Sequence, residues 1–117
     1  MSLSHILGKS GEEVAHSYLE KKGLSILEKN WRFKKLGEID LIAQDKNILV
    51  FIEVKTRKSN LNDAKELVTK SKISQIRKLA TIYLHINKIK NIPCRFDVIA
   101  LNIKNSQTQL EHIKNAF

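Results

Sequence analysis

Cysteine, proline and long apolar segments are scarce in this chain of 117 residues, which holds one cysteine and one proline. A single cysteine, Cys94, excludes an internal disulfide and a zinc site built from several cysteines. Because Cys94 precedes an apolar segment, we expect its thiol to be buried and reduced. No apolar segment approaches the ~20 residues that span a bilayer, and the first residues lack the pattern of a secretory signal. We therefore expect a cytoplasmic protein without a membrane partner.

Internal repeats, low-complexity tracts and linker-like segments are also absent from the sequence. The length, together with 42% hydrophobic and 28% charged residues, fits one globular α/β domain over residues 1–117. Hydrophobic periodicity and turn residues predict the element order α-β-β-β-α-β-β. The predicted helices cover about residues 4–22 and 64–87, and the predicted strands cover about residues 24–33, 36–44, 48–55, 95–103 and 107–111.

Acidic residues are few in one stretch of the chain. The net charge is +9, and between Lys55 and Lys90 ten basic residues accompany only two acids, a local excess of eight. The remainder of the chain holds eleven basic and ten acidic residues. Such a local positive field favours a polyanionic partner, most simply nucleic acid. The alternative is an ordinary lysine-rich surface in contact with solvent.

Three charged residues, Asp40, Glu53 and Lys55, lie inside apolar segments that are predicted to be strands. Burial of charge is unfavourable unless an opposite charge or a cation compensates for it. The alternation of side chains along a strand places Glu53 and Lys55 on one face. A two-residue turn at Lys46-Asn47 would set the register of this hairpin so that Asp40 lies opposite Glu53. By the same register, Glu38 lies opposite Lys55.

Two opposed acids in a hairpin are typical of a divalent-cation site. Directly opposed like charges destabilise a strand pair, and Mg²⁺ or Mn²⁺ held by Asp40 and Glu53 would remove that repulsion. Such an ion can activate water and neutralise phosphate during phosphodiester hydrolysis, while Lys55 can orient the water or stabilise the transition state. We therefore predict that Asp40, Glu53 and Lys55 are catalytic. The alternative is a structural cluster of salt bridges.

The second predicted helix has one apolar face and one basic face. The apolar face contains Ile73, Ile76, Leu79, Ala80, Tyr83, Leu84 and Ile86, and the opposite face contains Lys70, Ser74, Arg77, Lys78, Thr81 and His85. Basic side chains here and after the third strand are predicted to contact nucleic-acid phosphates, namely Arg57, Lys70, Lys72, Arg77 and Lys78. The alternatives are a solvated helix face and, for Arg57, a salt bridge with Glu38.

Asp40, followed thirteen residues later by Glu53-Val54-Lys55, resembles the PD-(D/E)xK motif of the restriction-endonuclease-like superfamily. Ile39 replaces the proline of that motif, as tends to be the case in the archaeal Holliday-junction resolvases. From Gly11 onward the chain more closely resembles the YraN family of uncharacterised bacterial proteins. The matching stretches are Gly11-Glu12-Glu13-x-Ala15-x-x-Tyr18-Leu19, Asn30-Trp31-Arg32, Gly37-Glu38-Ile39-Asp40-Leu41-Ile42-Ala43, Val50-Phe51-Ile52-Glu53-Val54-Lys55-Thr56-Arg57, Val68-Thr69-x-x-Lys72 and Arg95-Phe96-Asp97-Val98.

This resemblance implies a restriction-endonuclease-like core, in which helices flank a central mixed sheet of about five strands. It also implies a Mg²⁺-type site to which a glutamate of the first helix contributes. Glu12 matches that position, with Glu13 as the alternative. The implied metal ligands are therefore Glu12, Asp40 and Glu53.

Two residues of the second helix gain a role from the same resemblance. Lys72 matches a recurring lysine of the family and is expected to reach toward the site, and Gln75 is a further candidate near the metal. The predicted function is that of a metal-dependent DNA endonuclease acting on branched or structured DNA. The alternative is a nucleic-acid-binding module of the same fold with little or no catalysis. Nucleases of this type often pair to cut two strands, so a homodimer is compatible with the prediction.

Overall fold

Helices and strands follow one another in the predicted order α-β-β-β-α-β-β in the computed structural model of the chain, which describes residues 11–57, 68–104 and 107–117. The elements are α1 (Gly11–Lys21), β1 (Ser25–Arg32), β2 (Glu38–Asp45), β3 (Ile48–Arg57), α2 (Lys70–Ile86), β4 (Cys94–Lys104) and β5 (Gln107–Ile113). The predicted α/β class and element order are thereby confirmed. Neither helix of the described part is long and apolar enough to cross a membrane.

The helix boundaries follow from their capping residues. Gly23, with a φ of 95°, follows α1 as predicted. Helix α2 begins later than predicted because Thr69 is its N-cap: the Thr69 backbone is extended, and its hydroxyl accepts a hydrogen bond of 3.1 Å from the Lys72 N–H. Residues 4–10 of the first predicted helix, the predicted loop at 58–63 and the predicted helical turn at 64–67 lie outside the described residues.

All five strands form one sheet in the order β1-β2-β3-β4-β5. Strands β3 and β4 pair in parallel, and the other three pairs are antiparallel, so the implied mixed sheet is confirmed. The parallel pair requires a crossover connection, which contains α2, whereas β2 and β3 are joined by a tight turn in which Lys46 has a φ of 57°. Five successive residues at the centre of β3, Leu49–Glu53, are buried, as expected for a strand covered on both faces.

The two helices cover opposite faces of the sheet, because the side chains of each strand alternate between the faces. Helix α1 contributes Ala15 and Leu19 to a core with Leu41, Ala43, Val50, Ile52, Ile99 and Leu101. Helix α2 contributes Ile76, Leu79, Ala80 and Tyr83 to a core with Ile39, Ile42, Leu49 and Phe51. Glu53 and Lys55 belong to the α2 side, because alternation places them on the same face of β3 as Leu49 and Phe51.

Two burial predictions are wrong. Ile86, predicted on the apolar face of α2, is 51% exposed because the helix ends there, with Asn87 as its C-cap. Cys94 is exposed because it is the first residue of β4, at the end of the sheet. Partial packing nevertheless raises the pKa of the Cys94 thiol, which disfavours the reactive thiolate.

Candidate functional site

The site lies where the hairpin of β2 and β3 opens. The backbone ladder of this hairpin contains five residue pairs and ends at Leu41↔Ile52, in the register that the two-residue turn predicts. Beyond this pair, the Val54 N–H of β3 donates to the Asp40 side chain, with a distance of 2.8 Å to Oδ2. A carboxylate thus replaces a backbone carbonyl as the acceptor, and strand pairing between β2 and β3 stops at Asp40.

Glu38, two residues before Asp40, does not reach Lys55, so this predicted pairing is wrong. In the backbone register Glu38 pairs with Arg32 of β1. Its carboxylate lies 2.5 Å from the Arg32 guanidinium, between Oε1 and Nη2. The early end of the β2–β3 ladder explains the difference, because Glu38 and Lys55 lie on strands that no longer pair at that point.

Asp40 and Glu53 lie next to the last ladder pair, and their carboxyl groups are close enough to share a hydrogen bond. Glu53 is 3% exposed. The pKa of Asp40 is raised to about 8, chiefly by burial and further by the hydrogen bond to Glu53 and the charges of Glu53 and Glu12, while the Val54 N–H opposes the increase. Two carboxyl groups that share a site do not readily carry two charges. At neutral pH Asp40 therefore retains a proton unless a cation takes its place.

Two lysines compensate for the charge of Glu53. The Lys55 Nζ lies 3.6 Å from Glu53 Oε2, and the Lys72 Nζ lies 3.8 Å from the same oxygen. Lys55 reaches this position because it lies two residues beyond Glu53 on the same face of β3. Lys72 comes from the first turn of α2, where the Thr69 cap fixes its backbone. The structure thus brings three of the predicted residues, Glu53, Lys55 and Lys72, into one cluster.

A second group of acids adjoins Asp40. One carboxylate oxygen from each of Glu12, Glu38 and Asp40 lies within 4.8 Å of the others. The Asn30 side-chain amide donates to Glu12 Oε1 and, over 2.9 Å, to Glu38 Oε2. Asn30 has a φ of 49°, a conformation that asparagine tolerates better than most residues do. Sequence reasoning missed both Asn30 and Glu38 as members of this group, although alternation already places Glu38 on the face of Asp40.

Glu12 reaches this group because α1 begins close to the end of β3. A side chain at Gly11 would collide with the Thr56 hydroxyl, so glycine permits this close approach. Glu13, the alternative to Glu12, is exposed and is not a member of the group of three acids. Helix α1 thus places Glu12, rather than Glu13, beside Asp40.

The donor set suits a hard divalent cation. Carboxylate oxygens from Glu12, Glu38 and Asp40 lie close together, with Glu53 beside Asp40, and Mg²⁺ and Mn²⁺ prefer such ligands over nitrogen or sulfur. The residues therefore fit a Mg²⁺ or Mn²⁺ ion: Glu12, Glu38 and Asp40 lie close enough together to hold one, and the predicted ligand set of Glu12, Asp40 and Glu53 stays a prediction.

Comparison with known sequences places the chain in a family. A profile described as "Uncharacterised protein family UPF0102" matches residues 11–101. The chain belongs to the UPF0102 family. A UPF0102 protein of Thermodesulfovibrio yellowstonii is 50% identical over 112 residues, covering 95% of each chain. Those of Clostridium perfringens and Lawsonia intracellularis are 48% and 46% identical, covering 95% of this chain and 93% and 84% of theirs. YraN is another name for this family, so the resemblance found in the sequence is confirmed.

The part of the chain matched by the UPF0102 profile includes both groups of acids and both lysines of the site. Three further basic residues predicted to contact phosphate, Lys70, Arg77 and Lys78, are exposed on α2, as expected. The Arg77 guanidinium lies 5.8 Å from the centre of the Phe117 ring. Arg57 lies apart from them at the end of β3, where its Nε donates to Asn102 Oδ1 over 2.8 Å. Glu38, the alternative partner predicted for Arg57, forms an ion pair with Arg32 of β1.

Gln75 of this UPF0102 chain supports the site from α2. Its side-chain amide donates to the Leu36 carbonyl over 2.5 Å. The next residue, Gly37, has a φ of 120° and no space for a side chain, because Gln75 packs directly against it. Gln75 therefore links α2 to the connection between β1 and β2, just before Glu38 at the start of β2.

Proposed function

We propose that this UPF0102 protein is a metal-dependent DNA endonuclease that hydrolyses phosphodiester bonds in branched or structured DNA. The observation that carries the proposal is the convergence of Asp40, Glu53 and Lys55, with Glu12, at the opening of the hairpin. Acids that share a proton beside a lysine match the needs of phosphate chemistry, in which negative charge must be neutralised and water must be oriented.

Each residue has a distinct part in the proposed reaction. Glu12, Asp40 and Glu53 would bind Mg²⁺ or Mn²⁺, which when bound lowers the pKa of water and neutralises phosphate charge. The Lys55 ammonium, 38% exposed and beside Glu53, can donate to a phosphate oxygen or orient the attacking water. The DNA backbone would be held by exposed basic side chains, namely Lys70, Arg77 and Lys78, and by Arg57 at the end of β3.

The decisive experiment compares cleavage and binding of a four-way DNA junction by the wild-type protein and by Lys55→Ala. In Mn²⁺ we expect the wild-type protein to cut the junction, and the variant to cut it at least about 100-fold more slowly, the order of loss when one transition-state donor is removed. The dissociation constant for DNA should change little, since Lys55 is one of many basic residues. Lys21→Ala, an exposed change at the far end of α1, is the matched control and should cut normally. Equal rates for Lys55→Ala and wild type would refute the proposed role of Lys55.

A second candidate function is a nucleic-acid-binding module with little or no catalysis. The observation that favours it is the compensation of Glu53 by Lys55 and Lys72, which lets the buried acid persist without a cation. This candidate predicts salt-dependent binding of the same junction, with no Mn²⁺-dependent cleavage of junction, flap or duplex substrates. Cleavage that requires Mn²⁺ and Lys55 would exclude it.

A further inference from the structure

Glu53 is a single buried carboxylate with two ammonium groups on the same oxygen. Lys55 and Lys72 approach Oε2 from different elements, β3 and α2, to 3.6 and 3.8 Å. The buried Glu53 carboxylate thus has two ammonium neighbours, where one is enough to balance its own charge.

The two lysines differ in how firmly the fold holds their ammonium groups. Lys55 lies two residues from Glu53 on the same strand face, so the strand geometry itself keeps its side chain beside the acid. Lys72 reaches Glu53 across the gap between α2 and the sheet on a four-carbon side chain, which is 29% exposed. A flexible, partly solvated lysine can turn its ammonium group into water at little cost.

We propose that Lys72 is an exchangeable counter-ion of Glu53, which means that its ammonium neutralises Glu53 in the cation-free protein and gives way when a divalent cation binds. This inference rests on the cation site of the proposed function and adds its regulation. Lys72 and the cation compete for one buried carboxylate, so the strength of the Lys72–Glu53 contact sets the cation concentration at which the site fills. Lys72 is therefore assigned to the site itself rather than to the DNA-binding face of α2.

The physical argument is one of charge. A divalent cation at Glu53 would lie within a few ångströms of the Lys72 ammonium, and like charges at that distance repel with little screening by salt. Removing the ammonium should favour the cation-bound protein. It should also leave Glu53 with less compensation in the cation-free protein, which is unfavourable for a buried carboxylate.

The test is calorimetric titration of Mn²⁺ into the full chain without nucleic acid. We expect Lys72→Met, which keeps the length of the side chain, to bind Mn²⁺ on the order of fivefold more tightly than wild type, the equilibrium equivalent of a partly exposed ion pair. Lys72→Arg, which keeps the charge, should stay close to wild type. Lys70→Met carries the same charge change on an exposed side chain of the same helix and should also stay within about twofold because its charge is screened.

Thermal unfolding gives a second readout that needs no activity. Without a divalent cation, Lys72→Met should unfold at a lower temperature than Lys70→Met, and saturating Mn²⁺ should abolish that difference. Equal or weaker Mn²⁺ binding by Lys72→Met would overturn the inference. If the wild-type protein binds Mn²⁺ but does not cut DNA, the endonuclease proposal fails and the inference stands. If neither the wild type nor Lys72→Met binds Mn²⁺, the cation site fails, and the inference fails with it.

Discussion

Two aspartates on neighbouring parts of the same sheet have opposite titration behaviour. Burial, together with the acidic neighbours Glu53 and Glu12, raises the pKa of Asp40 to about 8. Burial would also raise the pKa of Asp97, yet hydrogen bonds from His112, Arg95 and the Asn115 N–H outweigh it and lower that pKa below its ordinary value. Burial alone therefore does not decide the charge of an aspartate; its hydrogen-bond donors do.

The surroundings of Asp97 form a network in which acid and base alternate. Its carboxylate accepts hydrogen bonds from the Arg95 Nε at 3.0 Å and from the Asn115 N–H at 3.1 Å, and lies 2.8 Å from the His112 Nε2. Arg95 also donates to Asp45 over 3.0 Å. This network joins β2, β4, β5 and the end of the chain on the α1 side of the sheet. A buried acid surrounded by donors stabilises the fold, whereas one surrounded by acids, as at Asp40, is suited to bind a cation.

The largest effect should separate Asp97→Asn from Asp40→Asn. Asp97 is fully buried, and replacing its charge leaves Arg95 without its main partner, so we expect the free energy of unfolding to fall by about 3–5 kcal/mol. Asp40 is protonated below a pH of about 8, and an amide resembles a protonated carboxyl group. At pH 7 and without cations Asp40→Asn should therefore lose no stability, and it should gain on the order of 1 kcal/mol because the amide needs no proton on folding.

Urea denaturation of both variants at pH 7 measures this difference. Each substitution replaces one carboxyl oxygen by an NH₂ group, so the two variants serve as controls for each other. Equal losses of stability would mean that Asp40 carries a structural charge like that of Asp97. In that case the contrast between the two regions would be wrong.

The pH dependence of stability gives a smaller effect of opposite sign at the two aspartates. The pKa of Asp40 is about 8 in the folded protein and about 3.9 in an unfolded chain, so the folded state binds the extra proton. Stability from this residue is full below pH 4 and is lost as the pH rises toward 8. Because Asp40 is partly exposed, we expect a loss on the order of 2 kcal/mol between pH 5 and 8. Asp40→Asn should abolish it.

Asp97 should act in the opposite direction and in another pH range. Its pKa is lowered by folding, so its contribution is present above the unfolded value of about 3.9 and is lost as the pH falls below it. Unfolding measured from pH 3 to pH 9 tests both residues at once. Saturating Mn²⁺ should also flatten the wild-type curve between pH 5 and 8, because a bound cation replaces the Asp40 proton. A curve that rises over that range in wild type would contradict the raised pKa.

Local patterns in the sequence were sufficient to predict the order of the elements and the core of the site. Strand alternation placed Glu53 and Lys55 on one face, and a two-residue turn fixed the register of the hairpin up to Leu41↔Ile52. These features depend on neighbours along the chain and on one short turn. The exposed basic face of α2 was predictable for the same reason, since a helix repeats every 3.6 residues.

Contacts between distant elements were less accessible to sequence reasoning. The ladder ends at Asp40 because its carboxylate accepts the Val54 N–H, a choice between backbone and side chain that periodicity does not reveal. Asn30 bridges Glu12 and Glu38 across three elements. The hydrogen-bond network around Asp97 was not predicted for the same reason, since its members come from β2, β4, β5 and the final residues.

The smallest expected effect concerns the outer edge of the hydrogen-bond network around Asp97. The Tyr18 hydroxyl lies 3.2 Å from the His112 Nδ1, on the side of the ring opposite Asp97. Tyr18→Phe removes this hydrogen bond but keeps the ring, which packs edge-on against His112, so we expect a loss of about 1 kcal/mol in urea denaturation. Tyr83→Phe is the matched control because its hydroxyl makes a longer contact of 3.3 Å with Glu28. Since Tyr18 belongs to the Asp97 network, Tyr18→Phe should bind Mn²⁺ as wild type does. Altered binding would show that the Asp97 network and the acids around Asp40 are coupled through the sheet.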